Sequence, residues 1–141
     1  MSVEYFLDTN ILLYGYDLDA PEKRLIAADI LENAWKFPET SAISVQVLQE
    51  FFVNFTRKDQ RYTEAHLLIE DFCYWPVVEN SLSLLGSSLT IRERWQLSFW
   101  DASIVAAAEA SGAEKLLSED LNHGQCYGKV MAINPFLKTI K

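Results

Sequence analysis

The chain is expected to fold as a three-layer α/β/α sandwich around a mostly parallel central sheet of about five strands, and two features of the sequence predict it. Short apolar runs at Val3–Leu7, Ser41–Ile43, Pro76–Val78, Lys115–Leu117 and Val130–Ile133 have the length of buried strands and are too short for helices. Between them lie longer stretches with helical patterning, at Ala20–Phe37, Ser44–Lys58, Thr63–Tyr74, Leu82–Trp95 and Ser98–Ser111. Strands alternating with helices form a parallel sheet covered on both faces. Pro21, Pro38, Pro76 and Pro135 each fall where one element gives way to another, and no repeat or Pro/Gly-rich linker interrupts the 141 residues. One domain spanning residues 1–141 follows. In open sheets of this kind ligands collect outside the carboxyl ends of the strands.

Taken in chain order, the elements deliver acids to that edge. The first strand ends at Asp8, between Leu7 and the apolar residues that follow, where a plain role also exists: Asp8 or Asn10 as the cap of the next helix. In the Ser44–Lys58 helix, Val47, Leu48, Phe51, Phe52 and Phe55 make an apolar stripe with Glu50 off its centre, so Glu50 reads as a boundary residue. In the Ser98–Ser111 helix, Asp101 shares a face with Ile104, Val105 and Ala108, which aims a carboxylate from the buried stripe. Its competing role is the third position of a capping box that starts at Ser98. The Lys115–Leu117 strand is followed by Ser118, Glu119, Asp120 and Asn122, a second delivery of acids, or equally a polar turn before Gly124.

Several carboxylates in one cleft repel one another unless cations offset them. Asp and Glu oxygens suit Mg²⁺ or Mn²⁺, and the His and Cys ligands that zinc prefers are missing. His66 and His123 are too far apart for a helical metal pair, and His123 reads as a surface residue of the turn at Gly124. Cys73 and Cys126 stand alone, so neither zinc-finger nor thioredoxin chemistry has a motif, and a reducing cytoplasm fits. No stretch is long and apolar enough to span a bilayer, and no basic region precedes an apolar stretch at the N-terminus, so neither a membrane span nor a secretory signal is expected.

Twenty acids against twelve bases give a net charge of −8. Such a balance argues against nonspecific DNA wrapping, which needs clustered Lys and Arg. It leaves nucleases open, because bound metal ions become the largest local positive charges. The basic patch Arg57, Lys58 and Arg61 is the best local candidate for contact with RNA phosphates, against the plain reading of a solvated helix end.

The segments FLDTNILLY, QEF, WDA at the start of an Ala-rich helix, LLSEDLNHGQ and the later INPF occur in an order and spacing that cover nearly the whole chain. In these it resembles the PIN-domain nucleases, most closely the small VapC-type toxins of prokaryotic toxin–antitoxin pairs. The resemblance implies an acidic quartet at Asp8, Glu50, Asp101 and Asp120, with supporting polar positions at Thr9, Asn10, Ser118 and Asn122. Family members often carry Thr where Ser118 stands and a further acid where Asn122 stands. It further implies Mg²⁺- or Mn²⁺-dependent endoribonuclease activity, with Asp8, Asp101 and Asp120 holding the ion and Glu50 acting through a water. A homodimer and an antitoxin with a basic tail are the implied partners, and the aromatic stretches around Trp35, Phe37, Phe52, Phe55 and Trp75 offer apolar surface for them. Two rivals remain: a catalytically inactive RNA- or protein-binding module whose acids only cap helices, and a metal-dependent phosphatase or phospho-acceptor domain built on Asp8. The second would need a Lys at the carboxyl edge, which neither Lys115 nor Lys129 obviously supplies.

Overall fold

The computed structural model describes residues 2–137. Its strands are β1 (Tyr5–Leu7), β2 (Ser41–Ser44), β3 (Val77–Val78), β4 (Lys115–Leu117), β5 (Cys126–Tyr127) and β6 (Val130–Ile133). Its helices are α1 (Thr9–Tyr14), α2 (Pro21–Lys36), α3 (Val45–Asp59), α4 (Tyr62–Phe72), α5 (Leu82–Trp95) and α6 (Phe99–Ser111), with a 3₁₀ turn at Pro38–Thr40. All five expected strands and all five expected helices are present. The helix expected after Asp8 is α1, six residues long and too short for its bounds to show as a period, and β5, two residues long, had no sequence counterpart.

The strands form one six-stranded sheet in the order β3-β2-β1-β4-β6-β5. Every pairing is parallel except that of β5 with β6, which are joined by a tight turn at Gly128 with φ of 67°. The chain thus moves outward from β1 to β2 and β3, then returns across the sheet to β4 on the other side of β1. Right-handed crossovers place the helices before and after that reversal on opposite faces. Accordingly α6 packs against β1, β2, β3, β4 and β6 with α5 on it, while α1, α2, α3 and α4 contact one another, α3 packing on β2. The reversal leaves a crevice at the carboxyl ends of β1 and β4, the place where open sheets of this kind bind ligands.

Sequence explains how firmly α6 sits. Its run from Ala102 to Ala108 is buried on all sides, and small Ala residues let the helix approach the sheet closely. It ends at Gly112, which adopts φ of 84° and donates its amide to the Ala108 and Glu109 carbonyls, a left-handed cap that a side chain would strain. Phe6, Leu7, Ile43, Leu116 and Ala132 from the strands complete the core with Phe51, Phe72 and Trp75. Trp75 differs from the partner-facing role expected of its stretch: it is buried, stacks on Phe72, meets Trp35 at a tilt, and donates its indole N–H to the Ala34 carbonyl at 3.2 Å. Trp35 and Phe37 do remain exposed. Among the described residues both cysteines are free, and no helix is long and apolar enough to cross a membrane.

Candidate active site

The register of β1 against β4 pairs Leu7 with Leu117, so the residues that follow, Asp8 and Ser118, emerge side by side at the crevice. Asp8 caps α1, accepting the Thr9 N–H at 2.7 Å on Oδ1. Its other oxygen accepts the Ser118 hydroxyl at 2.7 Å. The cap reading and the site reading are therefore compatible, since one oxygen serves the helix and the other faces β4. Asp8 is only 5% exposed, and this burial pushes its carboxyl up from 3.8 to about 7, with Asp120 and Glu50 adding like-charge repulsion against the two hydrogen bonds that lower it.

Hydrogen bonds tie Thr9, Glu50, Asn10, Ser118 and Asp120 into one network with Asp8. Thr9, buried beside it, donates from Oγ1 to Glu50 Oε1 at 2.9 Å, which brings α3 to the site. Asn10 donates from Nδ2 to Asp120 Oδ2 at 3.2 Å and accepts the Glu119 N–H on Oδ1 at 3.4 Å. Ser118, besides donating to Asp8, accepts the Asp120 N–H at 3.1 Å. Asp101 enters from the first turn of α6, where the Ser98 hydroxyl accepts its backbone N–H at 3.1 Å. Partial burial raises the Asp101 carboxyl, the hydrogen bond with Ser98 lowers it, and repulsion from Asp120 raises it further. Asn122 does not join the network: it is exposed and donates to Gln125 Oε1 at 2.9 Å. His123 lies at the surface as expected, its Nδ1 accepting the Asn134 N–H at 3.0 Å.

The basic patch divides. Lys58 and Arg61 line a groove of about 590 Å³ with Leu13, Tyr16, Asn54 and Phe55, but Asp17, Asp19 and Asp59 line it too. Arg61 is bound to Glu64 and lies over the Phe55 ring at 4.9 Å. Arg57 is exposed.

Sequence reasoning missed a cluster at the edge of the site. Glu119 Oε1 accepts the Tyr14 hydroxyl at 2.6 Å, and Lys23 Nζ donates to Glu119 Oε2 at 2.9 Å and to Tyr14 Oη at 3.2 Å. A Lys therefore does reach the carboxyl end of β4, from α2 and not from a strand, and it is engaged by Glu119. The only signal in the sequence was the Asn10–Tyr14 spacing, one helical turn, in a helix too short to show its face.

In type, the donors fit a hard divalent cation: all are oxygens, and Asp8 and Asp101 both resist ionisation next to Asp120. They do not form a closed shell, for among the described residues no three His, Cys, Asp or Glu side chains are grouped tightly enough to hold an ion by themselves. That arrangement suits Mg²⁺, which keeps several waters and is commonly held by one or two carboxylates together with substrate phosphates.

The sequence profile of the PIN domain matches residues 5–128, from the first residue of β1 to the turn after β5. This chain belongs to the PIN domain family. No curated relative matches it by sequence. The PIN fold seen here is similar to that of a toxin–antitoxin complex from Klebsiella pneumoniae, with a TM-score of 0.68 and 23% identity over 94% of this chain and 98% of that one. It is also similar to DNA-bound VapBC from Salmonella typhimurium (TM-score 0.66, 15% identity, 92% and 96% covered). VapC20 of Mycobacterium tuberculosis, a toxin that cleaves the sarcin–ricin loop, gives a TM-score of 0.58 at 17% identity, with 80% and 87% covered.

Proposed function

We propose that this PIN domain is an Mg²⁺- or Mn²⁺-dependent endoribonuclease and the toxin component of a toxin–antitoxin module. The observation that carries the proposal is the buried Asp8 carboxylate at the reversal point of the sheet, linked through Ser118 to Asp120, which Asn10 also holds, and through Thr9 to Glu50. Helix capping alone calls for the Thr9 contact and leaves this convergence of acids unexplained.

When bound, a divalent ion supplies a water made nucleophilic near neutral pH and positive charge for the phosphate oxygens. Asp8, Asp101 and Asp120 would share in holding the ion together with waters and substrate phosphates, Ser118 fixing Asp8 and Asn10 fixing Asp120 by hydrogen bonds. Glu50, oriented by the Thr9 hydroxyl, would complete the ion's surroundings through a water or align the attacking water. RNA as substrate is supported by the fold's likeness to VapC20, which cleaves an RNA loop.

An antitoxin partner is supported by the complexes that share the fold. Exposed Trp35, Phe37 and Tyr74 offer apolar surface for such a partner or for a second copy of the chain in a homodimer. The decisive experiment is cleavage of a structured RNA across a Mg²⁺ and Mn²⁺ series. Cleavage should require the metal and stop with EDTA, and undiminished cleavage in excess chelator removes the metal mechanism. The inactive-module reading is favoured instead if RNA or a partner binds and no metal concentration gives cleavage.

A further inference from the structure

The Glu119 cluster lies outside the acidic quartet yet is attached to it. Residues 118, 119 and 120 are consecutive, and each is gripped by a different group: Ser118 by Asp8, Asp120 by Asn10, and Glu119 by Tyr14 and Lys23. Asn10 and Tyr14 are one turn apart on α1, so a single helix face holds both members of the loop. Lys23 locks the arrangement from α2. Its ammonium bridges Tyr14 Oη and Glu119 Oε2 while lying 4.7 Å from the Tyr14 ring centre and 5.7 Å from that of Phe136. Phe136 in turn meets the Tyr14 ring edge-on at 5.0 Å.

We propose that Lys23 and Tyr14 clamp Glu119 as positioning residues, turning its carboxylate away from the acidic quartet and fixing the loop that presents Asp120 to a divalent cation. Without the clamp, Glu119 would be a further free acid beside Asp120, able to swing toward the ion or toward RNA phosphates. A purely stabilising role fits the cluster poorly. The Lys23–Glu119 pair is 41% and 23% exposed, and ion pairs in such settings contribute little to folding. Partners of metal-ligating groups, by contrast, commonly change metal affinity or activity by about 10- to 100-fold when removed.

The test compares Lys23→Met, Tyr14→Phe and Glu119→Gln with Lys36→Met, which breaks the exposed Lys36–Glu32 pair on α2 away from this cluster. Hydrogen exchange at the Glu119 and Asp120 amides reads loop order, and calorimetric titration with Mn²⁺ alone reads the site. All three clamp variants should exchange several-fold faster at those amides and bind Mn²⁺ about tenfold more weakly, with melting temperatures within a few degrees of wild type. Lys36→Met should match wild type in both. Unchanged exchange and Mn²⁺ affinity in the clamp variants overturns the proposal, as does a wild-type chain that binds no Mn²⁺. Because the metal role rests on the proposed nuclease reading, the two are separated by an RNA-cleavage arm. Mn²⁺ binding that is sensitive to the clamp in a chain that leaves RNA intact supports the clamp and removes only the nuclease.

Discussion

Asp8 carries a conflict that one measurement can expose. Its carboxyl titrates near 3.8 in an unfolded chain and at about 7 in the folded, metal-free protein. Between those values the folded state holds a proton that the unfolded state has lost, so stability falls as pH rises from about 4 to about 7 and is flat beyond. Each unit of difference corresponds to about 1.4 kcal/mol, so the full effect reaches at most about 4 kcal/mol. Asp101, raised for the same reasons, acts in the same direction. Asp8→Asn keeps the helix cap and removes the charge. The variant should therefore match wild type in melting temperature near pH 4 and exceed it increasingly toward pH 7, while losing cleavage by orders of magnitude. A gap that does not change with pH would mean that Asp8 is ionised throughout. Ser118→Ala tests the same carboxylate from the other side. It removes the hydroxyl that donates to Asp8 and accepts from Asp120, and should destabilise by about 1–3 kcal/mol, measured by urea unfolding at pH 7.

Among the elements, α6 separates capping from chemistry, because its first turn holds a residue for each. Ser98→Ala removes the hydroxyl that caps the helix and should cost about 1 kcal/mol, with specific activity per folded molecule retained. Asp101→Asn should do the reverse, leaving stability equal or higher and abolishing cleavage. Thermal melts and rates per folded molecule on the pair decide the matter, and an Asp101→Asn that is destabilised yet keeps its specific activity per folded molecule would assign that residue to the cap. The same helix shows why much of the fold was legible in the sequence. A 13-residue buried helix and apolar three- to five-residue runs carry strong periodic signals, and Asp8 and Asp120 stood out as acids at the ends of such runs. β5 escaped, and α1 was legible only as a helix to be capped after Asp8, since two and six residues are too few to repeat. Because the face of α1 escaped, so did the Asn10–Tyr14 pair and the Glu119 clamp it supports. Sheet order was likewise hidden, since apolar runs carry no label for their neighbours, and it is the β1–β4 adjacency that brings Asp8 to Ser118. Side chains such as Asn122 and Trp75 took their partners from packing that no local pattern encodes.

For the molecule as a whole, charge governs which partners the crevice accepts. The protein carries −8, and its acids include four that converge on one edge of the sheet. Such an edge attracts any cation, and an Arg side chain of a basic-tailed partner would compete with Mg²⁺ for it by forming bidentate charge-assisted hydrogen bonds with Asp8, Asp101 or Asp120. The competition has a signature in the binding curve. Affinity of a basic-tailed antitoxin should fall with added salt, because exposed charge pairs are screened over about 10 Å at 0.1 M ionic strength. It should fall further with Mg²⁺ than with an equal ionic strength of NaCl if Mg²⁺ takes the same carboxylates and does not merely screen them. Asp8→Asn should weaken binding in low salt and flatten the Mg²⁺ dependence. The measurement is calorimetric affinity of the product of the neighbouring gene for both proteins across matched NaCl and MgCl₂ series. Tight binding that ignores salt, Mg²⁺ and Asp8 would place the partner elsewhere, on the exposed apolar surface that includes Trp35, Phe37 and Tyr74, where inhibition works by blocking RNA access and is blind to the charge of the crevice.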